Sequence, residues 1–491
     1  MKLFNTLTRK LEEFNPIQDK EVGIYSCGPT VYWNQHIGHM YAYTQWDCLI
    51  RTLKFLDFKV KWVMNITDVG HMTSDEDLGE DKMEKGAQRE GLSVWEIADK
   101  YIVQFKESLR LLNINEPDIL CRATEHISEQ IDLIKKIEAN GFTYKTKTGL
   151  VFDTAKFPSY ADFARLNLEE QNAGSRVEVD PEKKNPWDFL LWVTNQPNHL
   201  MQWDSPWGKG FPGWHIECTA MSVKYLGEVF DIHTGGIEHI PVHHTNEVAQ
   251  AYGAFGRQTA NYWLHNGWLM FDNQKISKSL GNSILVSDLL EKGFNPLALR
   301  YLILTSHYRT GLNFTWESLK GAQTALQRLY EIVSKCHCEK PLNSTRGKLS
   351  DEAISRLPRG ETPRNDKNDS LLAMTKKNKW QEKFIEAISS DLNFPQAIAV
   401  LWEMLKSDLL EEEKYKLLLD WDQVLGLKLG ETREDREKPP EEVIKLAKER
   451  EKLRNEKKWG EADEVRKKIE ILGWQVEDTA KGFLLNKKNS N

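Results

Sequence analysis

Residues 22–46 read VGIYSCGPTVYWNQHIGHMYAYTQW, and this stretch decides the fold. Val22–Cys27 is a short apolar run typical of a buried strand, and Gly28-Pro29 ends it because proline cannot donate to a ladder. The apolar residues that follow recur at spacings of three and four, which predicts a one-sided helix. They are Tyr43, Trp46, Leu49, Ile50, Leu53 and Leu56. Alternation of apolar residues from Val60 to Ile66 predicts a second strand, and the β-α-β unit so formed typically opens a parallel nucleotide-binding sheet.

A short motif, His36-Ile37-Gly38-His39, stands at the start of the predicted helix. Imidazoles there can donate hydrogen bonds to phosphate oxygens, because a helix N-terminus also offers free N–H groups and partial positive charge. By itself, His-x-Gly-His is more often an ordinary loop-to-helix junction, since short motifs match freely.

A second motif, Lys275-Ile276-Ser277-Lys278-Ser279, follows an apolar run in the second half of the chain. Two lysines three apart on a loop can stabilise phosphoryl oxygens as these become more negative. In this order the two motifs resemble the nucleotide-handling signatures of class I aminoacyl-tRNA synthetases. The resemblance implies ATP binding by His36, Gly38, His39 and Lys278, and catalytic roles for His36, His39, Lys275 and Lys278.

Composition is consistent with a multidomain enzyme of 491 residues, 40% of them hydrophobic, and length alone predicts about three domains. No apolar run is long enough for a membrane span and the first residues do not resemble a signal peptide, so we expect a cytoplasmic protein without membrane contact. The net charge of -7 does not favour general nucleic-acid binding, so any tRNA must meet local basic surface. The six cysteines are scattered, which favours free thiols or metal ligands over disulfides.

Four residues form a candidate metal site: Cys27, Cys218, His243 and Glu247. His243 and Glu247 are four apart and share one helix face, and the donor set suits a tetrahedral ion, with zinc the expected one. Spacing alone is a weak signal, because distant cysteines are more often buried thiols and a His/Glu pair is more often a helix surface. A rival cluster, Cys336-His337-Cys338, lacks a second pair, and we interpret it as surface.

Longer motifs resemble the cysteinyl-tRNA synthetase family from about residue 1 to 310 and again in the tail. They are Tyr25–Tyr32, the His36 motif, Asn65–Asp68, Trp214–Ser222, His233–Gly236, His243–Gln250 and the Lys275 motif. The resemblance implies one Zn²⁺ per chain on Cys27, Cys218, His243 and Glu247, binding the thiol of the substrate L-cysteine directly. It also implies an amino-acid pocket lined by Thr67, Trp214 and His233, ATP accompanied by Mg²⁺, and anticodon contacts from Asp463, Arg466 and Asp478.

The chain departs from the family pattern in three motifs. Ile276 replaces a methionine in the lysine loop, an apolar exchange that should preserve packing. Thr245 stands where a glutamate is usual, and Gly235-Gly236-Ile237-Glu238 replaces a usual Gly-Gly-Ser-Asp. Because His243 and Glu247 are retained, these changes concern the hydrogen bonding around the metal and the edge of the pocket.

The predicted fold class is α/β, with a Rossmann-type parallel-sheet catalytic domain, an insertion, a helical bundle and a small C-terminal anticodon-binding subdomain. The predicted segments are 1–115 and 214–310 for the two catalytic halves, 116–213 for the insertion, 311–435 for the helical domain with an exposed connector at 342–369, and 436–491 for the subdomain.

The predicted function is ATP-dependent activation of L-cysteine and its transfer to tRNA(Cys) by a monomer. Two alternatives stay open at this point. One is a cysteine ligase of mycothiol biosynthesis, which shares the zinc pocket and both motifs but lacks an anticodon-binding tail. The other is a synthetase-like protein that binds nucleotide without catalysis. The tail argues against the first, and His36, His39 and Lys278 argue against the second.

Overall fold

The computed structural model describes residues 1–70, 81–167, 182–276, 281–338, 366–431, 439–456, 458–479 and 482–487. Two compact units are present, the first formed by residues 1–319 with 390–392 and the second by residues 320–389 with 393–491. The finer division into five segments stays a prediction. In the part of the chain that is described, we find no helix both long and apolar enough to cross a membrane.

The helices and strands are numbered in chain order. The strands are β1 (Lys2–Asn5), β2 (Lys10–Glu13), β3 (Glu21–Ser26), β4 (Lys59–Ile66), β5 (Ile119–Arg122), β6 (Thr143–Lys145), β7 (Gly149–Phe152), β8 (Phe189–Thr194), β9 (Gly210–Pro212), β10 (Phe230–Gly236), β11 (Ala260–Asn266), β12 (Leu269–Phe271), β13 (Gln274–Lys275), β14 (Leu312–Phe314), β15 (Trp474–Thr479) and β16 (Gly482–Lys487). The helices are α1 (Ile37–Phe55), α2 (Lys82–Glu90), α3 (Val94–Leu111), α4 (Ile127–Ala139), α5 (Trp214–Leu226), α6 (Thr245–Phe255), α7 (Val286–Glu291), α8 (Pro296–Leu304), α9 (Trp316–Cys338), α10 (Asp366–Ser389), α11 (Phe394–Lys406), α12 (Glu411–Leu425), α13 (Glu441–Asn455) and α14 (Trp459–Ile471).

A five-stranded sheet in the order β11-β10-β3-β4-β5 forms the centre of the first unit. Every neighbouring pair is parallel, and Ile24 lies between Ile232 on one side and Trp62 on the other. Strands β3 and β4 with helix α1 form the β-α-β unit expected from residues 22–66. The predicted α/β fold with a parallel sheet is therefore confirmed.

Strand β5 lies within the stretch predicted as an insertion, yet it pairs with β4 as an edge of the main sheet. Beyond it, β6-β7-β8-β9 form an antiparallel four-stranded sheet. Both sheets contribute to one hydrophobic core, which joins Tyr25 and Val63 to Phe152 and Trp192. This insertion sheet is therefore anchored to the main sheet by shared burial.

Helix α1 is held by a buried ion pair as well as by its apolar face. Arg300 Nη2 of α8 lies 2.6 Å from Asp47 Oδ2 of α1, and both side chains are fully buried. Arg300 also donates to the carbonyl oxygens of Leu112 and Asn113 at 3.1 Å. The pair therefore joins α1, the helix that carries the His36 motif, to α8 and to the end of α3.

The second unit is largely helical. Phe384 of α10 stacks on Trp421 of α12 with ring centroids 4.5 Å apart, and Trp421 Nε1 donates to Gln381 Oε1 at 2.7 Å. Nearer the C-terminus, α13, α14 and the β15-β16 hairpin surround a small core of their own. Its buried members are Val443, Ala447, Val465, Ile469, Trp474 and Val476.

Two predictions fall partly or wholly outside the described part of the chain. Residues 342–365 of the expected connector lie outside the described residues, whereas 366–369 begin α10. Cys336-His337-Cys338 end α9, and their side chains are likewise outside the described part.

We expect Arg300→Leu to lower the free energy of unfolding of the first unit by about 2 kcal/mol, because the fully buried Asp47 carboxylate loses one of its two arginine partners and the Leu112 and Asn113 carbonyl oxygens lose a donor. The other partner, Arg51, keeps its Nε 2.7 Å from Asp47 Oδ2. Arg257→Leu serves as the matched control: its pair with Glu228 is exposed, and its loss should cost under about 1 kcal/mol. Urea titration followed by tryptophan fluorescence compares the two variants, and equal losses would contradict the assigned role.

Candidate active site

A cavity of about 640 Å³ opens at one edge of the main sheet. It is lined by residues at or just beyond the carboxyl ends of four parallel strands. They are Cys27 and Gly28 after β3, Asn65 and Thr67 at the end of β4, Gly235 and Gly236 of β10, and Asn266 and Gly267 at the end of β11. Ligands of open α/β sheets bind at this edge, where loops from neighbouring strands meet.

Three residues of the candidate metal site, Cys27, Cys218 and His243, line this cavity. Their ligand atoms and that of Glu247 all lie within 4.8 Å of one another. The two thiol sulfurs of Cys27 and Cys218 are 3.9 Å apart, and His243 Nε2 is 3.2 Å from Glu247 Oε1. Cys218, His243 and Glu247 are buried, while Cys27 is half-buried. The site thus combines the end of β3, the first turns of α5, and α6 with the turn before it.

The protonation preferences of these groups follow from burial. Burial raises the pKa of the Cys27 thiol. The pKa of Cys218 is raised well above its ordinary value, mainly by a hydrogen bond with Cys27 and next by burial. Burial likewise raises the pKa of Glu247 well above its ordinary value. A divalent cation reverses this preference, because it stabilises thiolates and a carboxylate directly. The donor set fits zinc.

A second set of donors overlaps the first and was missed in the sequence. Cys27, His233, His244 and Glu247 also place their ligand atoms within 4.8 Å, with His244 Nε2 3.3 Å from Cys27 Sγ. On its far side, His244 Nδ1 lies 2.7 Å from His265 Nε2. Two thiols favour the set with Cys218, because zinc binds thiolate strongly. In the sequence, only the adjacency of His243 and His244 indicated that two donor sets could compete for one metal ion.

A chain of hydrogen bonds joins the two cysteine-bearing segments. The Gly28 N–H donates to Asn65 Oδ1 at 2.7 Å, and Asn65 Nδ2 donates to Thr67 Oγ1 at 3.0 Å. The Thr67 hydroxyl then donates to Glu217 Oε2 at 2.9 Å. Gly28 follows Cys27 and Glu217 precedes Cys218, so this series of hydrogen bonds sets the distance between the two thiols. A Cβ at Gly28 would lie 1.6 Å from the Asn65 carbonyl oxygen, so the close approach requires glycine.

The two histidines of the first motif stack at the start of α1, with ring centroids 3.8 Å apart. The Gly38 N–H donates to His36 Nδ1 at 3.1 Å, and the His36 N–H donates to His39 Nδ1 at 3.2 Å. Both Nδ1 atoms are therefore acceptors, so the neutral rings carry their proton on Nε2 and can donate it to an anion. A Cβ at Gly38 would lie 2.9 Å from the His36 ring.

The remaining predicted residues of the first unit take different positions. Thr67 and Trp214 line the cavity, and the Trp214 ring lies 4.7 Å from that of His243. His233 is fully buried, with Nε2 3.6 Å from Cys27 Sγ. Lys275 lines the cavity with its Nζ 5.6 Å from the Trp268 ring. Lys278 lies outside the described residues.

The predicted anticodon residues lie in the second unit. Asp463 and Arg466 are exposed on α14, where Ala462 and Val465 face inward. Arg466 Nε lies 3.2 Å from Glu470 Oε1. Asp478 lies on β15 of the adjoining hairpin.

Residues 13–324 match the family described as tRNA synthetases class I (C) catalytic domain. The cysteine–tRNA ligase of Treponema denticola is 45% identical, over 98% of each chain. Cysteine–tRNA ligase 1 of Burkholderia lata is 44% identical, over 98% of this chain and 95% of its own. This chain belongs to the cysteine–tRNA ligase family of class I synthetases.

The fold agrees with this family. Methionyl-tRNA synthetase of Mycobacterium tuberculosis, solved with methionyl-adenylate, aligns with a TM-score of 0.56 over 84% of this chain and 92% of its own. At 14% identity it supports the fold alone. The prediction of an aminoacyl-tRNA synthetase is confirmed, and the nearly full-length matches favour neither the mycothiol ligase nor the non-catalytic alternative.

We expect Asn65→Leu to weaken metal binding roughly 10- to 100-fold, the usual effect of losing a hydrogen bond that orients metal ligands. Asn140→Leu is the control, because it removes another asparagine side chain that makes two hydrogen bonds. Asn140 donates to the backbone carbonyls of Gly253 and Ala254, outside the four-ligand cluster. Competition against a chromogenic chelator measures both affinities. Unchanged zinc affinity in Asn65→Leu would show that the hydrogen-bond chain does not set the thiol spacing.

Proposed function

We propose that this enzyme activates L-cysteine with ATP and transfers the cysteinyl group to tRNA(Cys), using a Zn²⁺ held by Cys27, Cys218, His243 and Glu247. The observation that supports this most strongly is the position of the four-ligand cluster. Three of its residues, Cys27, Cys218 and His243, line the same cavity as the stacked imidazoles of His36 and His39. A group that selects a thiol therefore stands beside groups that bind phosphate.

Zinc, when bound, supplies a Lewis acid that lowers the pKa of the substrate's thiol and binds it as thiolate. The protein's own residues do the rest of the recognition. The Trp214 ring forms a wall of the cavity next to His243. Thr67, whose one hydroxyl proton is donated to Glu217, presents a lone pair that can accept from the ammonium group of the amino acid.

In the first step, a carboxylate oxygen of cysteine attacks the α-phosphorus of ATP, and the bond to the bridging oxygen of pyrophosphate breaks. The Nε2–H groups of His36 and His39 donate to phosphate oxygens as negative charge grows there. We assign Lys275 and Lys278 to the same task on the leaving pyrophosphate, with Mg²⁺ accompanying ATP. The products are cysteinyl-adenylate and pyrophosphate, without a covalent enzyme intermediate.

In the second step, a terminal ribose hydroxyl of tRNA attacks the carbonyl carbon of the adenylate, and AMP leaves. Membership of class I implies that the 2′-hydroxyl reacts first. A monomeric state and a cytoplasmic location complete the proposal.

Cys218→Ser and His243→Ala should each lose stoichiometric zinc. Cysteine activation should fall by more than the roughly 10- to 100-fold loss that is typical when a residue hydrogen-bonded to a metal ligand is changed. Cys121→Ser is the matched control, since its thiol is buried and contacts the Met64 carbonyl oxygen at 3.5 Å without belonging to the cluster. Atomic spectroscopy gives the zinc content, and cysteine-dependent pyrophosphate exchange gives the activation rate. ATP binding should survive in all three variants.

Rejection of serine tests the same site. Serine has nearly the shape of cysteine, so a pocket that relies on size or ordinary hydrogen bonds would separate them poorly. A hydroxyl is a weaker and more basic ligand for zinc than a thiol, and discrimination then resides in the first binding step. A metal-free wild-type enzyme that activates cysteine and refuses serine would overturn the zinc-thiolate mechanism.

Recognition of the anticodon by the terminal subdomain is a separate part of the proposal. Carboxylates accept hydrogen bonds from exocyclic amines of cytosine or guanine, and arginine pairs with or stacks on a splayed base. We expect Asp463→Asn, Arg466→Ala and Asp478→Asn to reduce aminoacylation while leaving pyrophosphate exchange intact. Lys467→Ala removes an equally exposed cation from α14 and should have the smaller effect. Equal losses in both assays, or in neither, would refute this assignment.

A further inference from the structure

The cavity contains a cation that neither motif includes. Lys82 is the first residue of α2, is half-buried, and lines the cavity together with Thr67 and Trp214. Its Nζ lies 5.4 Å from the centroid of a Trp214 ring, within the range of a cation–π contact. Lysine is a compact point charge and binds small anions well.

The start of α2 is fixed from two sides, which gives Lys82 a defined position. Asp81 is the N-cap, with Oδ1 accepting from the Glu84 N–H at 2.7 Å, and its Oδ2 lies 2.7 Å from His199 Nε2. The Leu200 N–H donates to Glu84 Oε1 at 2.7 Å. The segment before β9 therefore anchors the first turn from which Lys82 projects.

His199 is itself held firmly in this contact. Its Nδ1 lies 3.0 Å from the Met201 carbonyl oxygen, and its ring stacks on Phe211 with centroids 3.9 Å apart. One ring nitrogen faces the Met201 carbonyl oxygen and the other faces the Asp81 carboxylate, so the imidazole is held between two hydrogen-bond partners. Asp81, Glu84 and His199 form a group that could hold a metal, but these hydrogen bonds account for it as a structural anchor.

The position of Lys82 relative to the metal cluster indicates its ligand. Trp214 is near both, since its ring is 4.7 Å from the His243 ring and Lys82 Nζ is 5.4 Å from the centroid of a ring of the same side chain. Cysteine is a short molecule, so when its thiol is bound at the metal cluster, its carboxylate lies along the side of the cavity formed by Trp214. Its carboxylate must be desolvated there to react, and a buried carboxylate needs a partner.

The other described lysine of the cavity serves a different part of it. Lys275 belongs to the phosphate-side motif and lies near Trp268, whereas Lys82 lies near Trp214 on the amino-acid side. We propose that Lys82 is a further substrate-binding residue, whose ammonium group binds and orients the carboxylate of the amino acid. This inference rests on the proposed function, because it assumes that cysteine is bound by its thiol in this cavity.

The test compares two ligands that differ only by the carboxylate. Isothermal titration measures the binding of cysteine and of cysteamine to zinc-loaded wild type, Lys82→Gln, Lys82→Arg and Lys85→Gln. Loss of a charge-assisted contact should weaken cysteine binding by Lys82→Gln about 10- to 100-fold, while cysteamine binding changes less than about twofold. Lys82→Arg should recover part of the cysteine affinity. Lys85→Gln, an exposed position on the same helix, should behave as wild type.

Four outcomes would overturn the assignment. Equal weakening of both ligands in Lys82→Gln would mean that Lys82 acts through the shape of the pocket. Unchanged cysteine affinity with a raised KM for ATP would make its ligand a phosphate. If the wild type binds neither cysteine nor cysteamine and catalyses no cysteine-dependent pyrophosphate exchange, the proposed function is overturned, and this inference with it. If the wild type shows normal exchange but Lys82→Gln binds cysteine with unchanged affinity, the inference alone is overturned.

Discussion

The structure depends on bringing two thiols, an imidazole and a carboxylate into one largely buried space. Cys27, Cys218, His243 and Glu247 come from distant parts of the chain, and their ligand atoms lie within 4.8 Å of one another. Burial disfavours the charged forms of the cysteines and the glutamate, so the cluster reaches its ligating state only with a cation to balance it. The sheet order and the loops beside it maintain this arrangement.

The parallel sheet makes the arrangement possible. Because β3, β4, β10 and β11 run in the same direction, the residues that follow each strand meet at one edge. Asn65 and Thr67 then connect the ends of the cluster through side-chain hydrogen bonds. The buried Arg300–Asp47 pair holds α1, the helix that carries the two imidazoles at its start.

Local patterns predicted a large part of this architecture. The strand, helix and strand of residues 22–66 were recognisable, because apolar periodicity and Gly28-Pro29 act over a few residues. The four metal ligands were named from residue type and resemblance. The spacing of residues could not exclude His244 as a metal ligand, because it is adjacent to His243. In the structure its Nε2 lies 3.3 Å from Cys27 Sγ. Strand β5 was assigned to the insertion, because a four-residue strand carries little periodic signal and its partner is distant in the chain.

Residue types and local spacing were enough to predict the β-α-β unit, a phosphate-binding role for the histidine motif and the kind of ligands available to a metal. These features depend on backbone propensity and side-chain chemistry, which each residue carries with it. Only the tertiary structure decided which donors meet, which nitrogens of His36 and His39 can donate, and that Lys82 shares a wall with Trp214. Such relations are distances between segments far apart in the chain, and they exist only once the sheet and its shared core have formed.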